Sequence, residues 1–340
     1  MPINRAFAHL YRKWVGGIVV LLLVYGLWLV AVPVHWSQKP YCIVIPPNQS
    51  LQALAKQLDQ DQAIRSRTLM VILARLLQWD TKIQAGRYVF KSPTNLIGML
   101  NAFAAGKAEQ LSITFVEGIT FDQMRQTLNQ APYLQHDSQH LSHAQLLIKI
   151  GAKNSGYAHP EGLFFPSTYF YEPQVSDLTI LRQAYQNMQK ILATTWQHRA
   201  PNLPYRTPYE LLIMASLIEK ETGYAADRAK IAAVFINRLR INMRLQTDPA
   251  VMYGISTTFS GSLTHRQLRR NTRYNTYIHA GLTPTPIALP GLAALEAAAH
   301  PDPRTKAFYF VARQDGLSVF SHNLKEHNAA VRKYILHKGK

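Results

Sequence analysis

Apolar and polar positions change their period several times along this 340-residue chain. Residues 15–34, VGGIVVLLLVYGLWLVAVPV, hold no charge and no alternation, a run of the length a bilayer-spanning helix needs. From 41 to 110 the period shortens and switches. YCIVIPP reads as a strand closed by prolines, and NQSLQALAKQLDQ as an amphipathic helix capped near Asn48 or Ser50. SRTLMVILARLLQ is a second helix, AGRYVF a strand, and NLIGMLNAFAAG a third helix stopping at Gly106. LSITFVEG (111–118) then alternates as a strand and ITFDQMRQTLNQ follows as a helix. Residues 130–158 are polar and read as a solvated loop. LTILRQAYQNMQKILATTWQ (178–197) places Leu181, Ala184, Tyr185, Met188 and Ile191 on one helical face, which is core packing. Near the C-terminus AFYFVAR and LSVFSHNL flank Gln314-Asp315-Gly316, a hairpin signal.

The stretch Thr207–Tyr253 is the densest in information. Thr207 caps, Pro208 suits the first helical position, and Glu210 completes a capping box. Leu211, Met214, Ala215 and Ile218 recur at helical spacing, and Gly223 is a natural stop. The last turn carries Glu219, Lys220 and Glu221. A carboxylate on a greasy helix is solvated, paired or used. Glu219 lies on the line of Leu212 and Ser216, at the edge of the apolar stripe, where partial burial raises a carboxyl toward a proton donor. Glu221 is about 200° further round, so the two do not face one substrate. The plain alternative is two solvated charges at a helix end. Asp227 caps the next helix, ADRAKIAAVFINRLR, and Asn242 suits a left-handed helix end. Thr247 or Asp248 caps a helix that Pro249 starts.

These residues carry a resemblance. ASLIEKETG, IAAVFINRLRINMRLQTDPAVMYG, YNTYIHAGLTPTPIALPG and AALEAAAHP, with EGLFFPSTY (161–169) and VEGITF (116–121), resemble the YceG-like family of endolytic murein transglycosylases, the MltG proteins. The likeness covers roughly residues 45 to 335. It departs from the family at Ser167, where Asp is usual, at Asn242, where Gly is usual, and in LTPTPI, where Pro-Gly is usual. The strand leading into NQSLQALAKQL also resembles a LysM-like unit, a kind of module that binds glycan strands; a spacer domain is the alternative reading. The expected fold class is therefore α+β: a cytoplasmic N-terminus (1–14), a single transmembrane helix (15–34), a small LysM-like α/β subdomain (41–110) and a mixed helical and β catalytic domain (111–335).

Charge and topology bound the partners. The net charge is +18, which suits anionic surfaces and polymers. Arg5, Arg12 and Lys13 precede the apolar run, so the positive-inside rule leaves the remainder outside the cytoplasm, with Trp28 and Trp36 at the outer interface. That placement argues against nucleic acid as partner. The single cysteine, Cys42, excludes an internal disulfide and a cysteine-based zinc knuckle. His136, His140, His143, His322 and His327 show no metal-ligand spacing, and no cofactor motif is present.

A glycosidase needs two carboxylates, whereas the reaction implied by the resemblance needs one. Its acid protonates the glycosidic oxygen between N-acetylmuramic acid and N-acetylglucosamine. It then takes the proton of the sugar's own C6 hydroxyl as a 1,6-anhydro ring closes. Glu219 is the expected catalytic residue. Glu221, Gln246, Thr247, Asp248, Asn275, Tyr277 and Glu161 are expected to bind substrate or support the site, and the aromatic strip 161–171 to stack on sugar faces. Glu161, Glu221 and Asp248 also stand as candidates for a second carboxylate. The implied partners are peptidoglycan strands, the membrane, and the synthases whose nascent strands would be cut. A hydrolytic muramidase and a non-catalytic wall-binding scaffold are the competing classes.

Overall fold

The computed structural model describes residues 3–36, 39–152, 156–259, 261–313 and 315–336. The chain forms two compact units, Met1–Ser112 with Phe170–Val175, and Ile113–Tyr169 with Ser176–Lys340. Gln314 of the expected hairpin turn lies outside the described residues.

In the first unit α1 (Ile3–Ala31) contains most of the long apolar run. It starts before the uncharged stretch and ends short of Val34, because Pro33 offers no N–H and disfavours helix at the residue before it. Val34 pairs instead with Thr94, its N–H donating to the Thr94 carbonyl at 3.0 Å. Among the described residues no helix is long and apolar enough to cross a membrane, so the expected span rests on the sequence. Trp36, expected at a membrane interface, is buried and stacks on Tyr41 with ring centroids 5.1 Å apart.

A β-α-α-β arrangement follows: β1 (Tyr41–Ile45), α2 (Leu51–Gln60), α3 (Arg67–Leu76) and β2 (Gly86–Phe90), then α4 (Leu96–Ala104). The strands pair antiparallel from Tyr41↔Phe90 to Ile45↔Gly86. Alternation in β1 buries Tyr41, Ile43 and Ile45 against Leu54, Leu58, Met70 and Phe103. Ser50, Ser66 and Asn95 cap the three helices, each satisfying an amide the first turn leaves over.

The second unit begins at Ile113, within β3 (Leu111–Thr114), and continues into α5 (Phe121–Gln130). The expected loop 130–158 contains a helix, α6 (His143–Lys149), with a reciprocal cap between Ser142 and Gln145. His143 is not solvated there, since its ring meets Phe121 and His159 edge-on. Then come β4 (Thr168–Tyr171), α7 (Asp177–His198), α8 (Pro208–Glu221), α9 (Ala225–Arg240), α10 (Asp248–Ile255), α11 (His265–Leu268) and α12 (Leu292–Ala299). β3 pairs with β4. The chain closes with an antiparallel hairpin, β5 (Tyr309–Ala312) and β6 (Ser318–Ser321), and α13 (Leu324–Val331).

The core of this unit is α8. Leu211 through Ile218 are all buried, so the helix is apolar on every side rather than on one stripe. It packs against α12, α7 and α9, and α12 approaches closely because it offers mainly alanine: Ala294, Ala297, Ala298 and Ala299 are buried. Thr207 caps α8 by accepting from the Glu210 N–H at 3.2 Å, but Glu210 returns its bond to the Arg206 N–H, one residue outside the expected box. Asp227 does not cap α9. It sits within the first turn, buried, and accepts from the Ser318 N–H at 2.6 Å, so it fixes the hairpin instead. Asn242 adopts the left-handed conformation, φ 54°, that ends α9.

Candidate active site

Glu219 leaves the last turn of α8 with only 7% of its side chain exposed. Its Oε2 accepts from the Gly291 N–H, the first residue before α12, at 3.0 Å. Its Oε1 lies 4.0 Å from Nη2 of Arg228, on α9. Burial holds the carboxyl above the ordinary range, while the Gly291 N–H, Arg228 and Lys220 favour the ionised form and the Glu117 carboxylate disfavours it. A carboxyl shifted in this direction is closer to the range in which a carboxylic acid can both give and take a proton.

Three residues that build this site come from motifs the sequence reading used without singling them out. Glu117 and Gly118 stand in VEGITF, and Gly291 ends IALPG. Lys220 reaches back to the Gly118 carbonyl at 3.1 Å. The residues of VEGITF and IALPG meet through Gly118 N–H to Leu289 O and Leu289 N–H to Ile119 O, both 2.8 Å. Arg228 adds a cation from a third element.

The expected supporting residues gather elsewhere. Thr247 Oγ1 donates to Glu221 Oε1, which is why the Thr247 hydroxyl does not cap α10. Burial pushes the Glu221 carboxyl up to about 7, opposed by the Thr247 hydroxyl and Arg238 and reinforced by Asp248. Gln246 sits at φ 50° and accepts from Arg238 at 3.5 Å; Tyr277 donates to Asp248 at 2.6 Å. Glu221, Arg238, Gln246, Asp248 and Tyr277 line a pocket of about 400 Å³ together with Tyr309 and His327. Thus Thr247 bonds Glu221 and not Glu219, and Gln246 and Asp248 line the same pocket as Glu221, on the side of α8 to which the helical rotation between the two glutamates turns it.

Asn275 is buried, and its side chain is spent on the loop: it donates to the carbonyls of Leu268 and Arg270 and accepts from the Tyr277 N–H. Glu161 is also enclosed, accepting from the Phe121 N–H at 2.9 Å and the Tyr253 hydroxyl at 3.0 Å. The aromatic strip is divided between the core and the surface, with Phe170 exposed. Phe164 and Tyr169 are buried, and Phe164 stacks on Phe121 with centroids 5.3 Å apart. Among the described residues no group of three or more His, Cys, Asp or Glu is placed to hold a metal ion.

A largely buried glutamate at a helix end, held by one backbone amide and faced by a second carboxylate, is the candidate acid–base site. Comparison with known proteins places it more narrowly. Residues 43–333 match the YceG-like family, and the chain belongs to that family. It is 33% identical over 317 residues to the endolytic murein transglycosylase of Bacillus subtilis (strain 168), covering 86% of this chain and 84% of that protein. The endolytic murein transglycosylase of Streptococcus pneumoniae serotype 2 (strain D39 / NCTC 7466) is 26% identical over 338 residues, covering 89% of this chain and 60% of its own length. A crystal structure of a yceG-like protein from Listeria monocytogenes superimposes with a TM-score of 0.54 at 25% identity, covering 86% of this chain and 99% of that one.

Proposed function

We propose that this protein is an endolytic murein transglycosylase with Glu219 as its acid and base. Glu219 gives its proton to the glycosidic oxygen as the bond from C1 of N-acetylmuramic acid breaks, releasing N-acetylglucosamine with a free hydroxyl. The C6 hydroxyl of the same muramic acid attacks C1 and its proton passes to the Glu219 carboxylate. The 1,6-anhydro ring is closed and the enzyme is back in its starting state. Intramolecular attack makes an activated water unnecessary. The observation that carries this reading is the Glu219 carboxyl, largely buried, raised above its ordinary range and held by the Gly291 N–H.

The membrane anchor belongs to the same proposal. Along α1, Trp14, Ile18, Val20, Leu21, Val24, Tyr25 and Leu27 are all more than half exposed, an apolar girdle that water does not favour and lipid does. The β-α-α-β arrangement beside it supports reading residues 41–110 as the LysM-like module, a second grip on glycan. Anchored this way, the enzyme works on strands near the membrane and helps end their elongation beside the synthases.

Digestion of purified glycan strands by the full chain in detergent tests the reaction, wild type beside Glu219→Gln, with products read by mass spectrometry. Internal fragments ending in 1,6-anhydro sugars, lost in the variant, are expected. Reducing ends would mean a hydrolytic muramidase, and binding without cleavage a scaffold.

A further inference from the structure

Glu117 rides on a short stretch between β3 and α5 that is fixed from several directions. Gly118 and Ile119 exchange two backbone hydrogen bonds with Leu289, and Lys220 holds the Gly118 carbonyl. Gly118 itself sits at φ +79°, a conformation that favours glycine. The carboxylate this stretch presents is packed onto Gly291. A Cβ added to Gly291 would run into the Glu117 carboxyl, although the backbone there, φ −78°, suits any residue. The absence of a side chain at 291, and not its dihedral, is what leaves room for the carboxylate in this position. The same glycine donates its N–H to Glu219. One residue therefore carries both carboxylates, one on its amide and one over its α-carbon.

Among the described residues, the other charged and polar groups acting on Glu219 work in the opposite sense. Arg228 from α9, Lys220 from α8 and the Gly291 amide at the start of α12 all favour the ionised acid. We propose that Glu117 is a positioning residue for the acid: fixed on Gly291, its negative charge keeps the proton on Glu219 against two cations and a helix terminus until the glycosidic oxygen arrives. Once the proton has been given, the same charge makes the new Glu219 carboxylate a stronger base for the C6 hydroxyl. The inference rests on Glu219 being the acid.

The test pairs rates with a direct titration. Using the full chain in detergent micelles, kcat and KM for glycan strands are measured from pH 4.5 to 9 for wild type, Glu117→Gln and Glu117→Asp. The Glu219 carboxyl is titrated by carbon-13 NMR in the same proteins. Removing the charge is expected to move both the alkaline limb and the Glu219 titration down by about one pH unit, a roughly tenfold loss of kcat near neutrality. KM stays close to wild type, activity recovers toward pH 5, and Glu117→Asp stays near wild type. A loss equal at every pH with the Glu219 titration unmoved would make Glu117 merely structural and overturn the proposal. So would an unchanged rate and titration in Glu117→Gln. If wild type cuts no glycan, the proposed reaction fails by itself. The NMR titration then still decides the coupling, which is overturned if Glu117→Gln leaves it in place.

Discussion

Glu161 shows how far a side chain's environment departs from what its letter suggests. Only 1% of it is exposed, and burial pushes its carboxyl up to about 8, against the pull of the Phe121 amide and the Tyr253 hydroxyl. The folded protein thus keeps a proton that the unfolded chain gives up near pH 4.5. Between those two values the native state binds more protons, so stability falls as pH rises and the full cost is present above about 8. Thermal melts of wild type should lose midpoint from about pH 4.5 to about pH 8 and level off above it, and Glu161→Gln should flatten that slope, a difference on the order of 3–5 kcal/mol across the window. The sequence offered Glu161 as a second acid or as a brace, and its enclosure fits the brace. Asn275 teaches the same lesson. Its type suits sugar binding, yet its amide is consumed by Leu268, Arg270 and Tyr277. Residue type was legible; satisfaction of each polar atom was not, because its partners arrive from tertiary structure.

Helices were legible where a period and a cap coincide, as in α2 with Ser50, α7 and α8 with Thr207. What α8 packs against was not. The sequence suggests one apolar stripe, but Ser216 is buried among the apolar residues, donating to the Ile213 carbonyl at 2.7 Å and accepting from the Ile287 N–H at 3.0 Å. Ser216→Ala would leave the Ile287 amide without its acceptor inside the core. It should cost about 1–3 kcal/mol, seen as a lower urea midpoint with unchanged slope. The short helix α6 was missed because seven residues in a polar stretch give too little period to detect, while its capping pair, Ser142 and Gln145, was there to be read. Asp227 was assigned to its own helix because caps are local, yet it holds Ser318, which lies 91 positions away. The glutamate of the proposed acid could be chosen from its place on the helix. Glu117 and Gly291, which set its surroundings, belong to motifs far along the chain and come together only on folding.

For the molecule as a whole, the proposed anchor makes a separable prediction. Removing residues 1–34 should abolish flotation with lipid vesicles while leaving strand cleavage in detergent within about twofold, since nothing in the Glu219 site comes from that segment. The junction after the helix is laced to the rest of the first unit by side chains from the cap of α4 and from the stretch before α3. Arg65 donates to the carbonyls of Val32 and Pro33, with 2.9 Å to the latter, Asn95 donates to the Ala31 carbonyl at 3.0 Å, and the Arg65 guanidinium lies 4.6 Å from the Trp28 ring centroid. Trp36 then enters the hydrophobic core a few residues on. A helix that merges with its domain this way is a rigid post, not a leash. If α1 is the anchor proposed above, it would set the height at which the unit it merges with stands above the lipid, so that the depth of wall within reach is a property of the fold. Inserting a flexible stretch after Val34 would turn the post into a tether and change which strands are reached, with the chemistry at Glu219 left as it was.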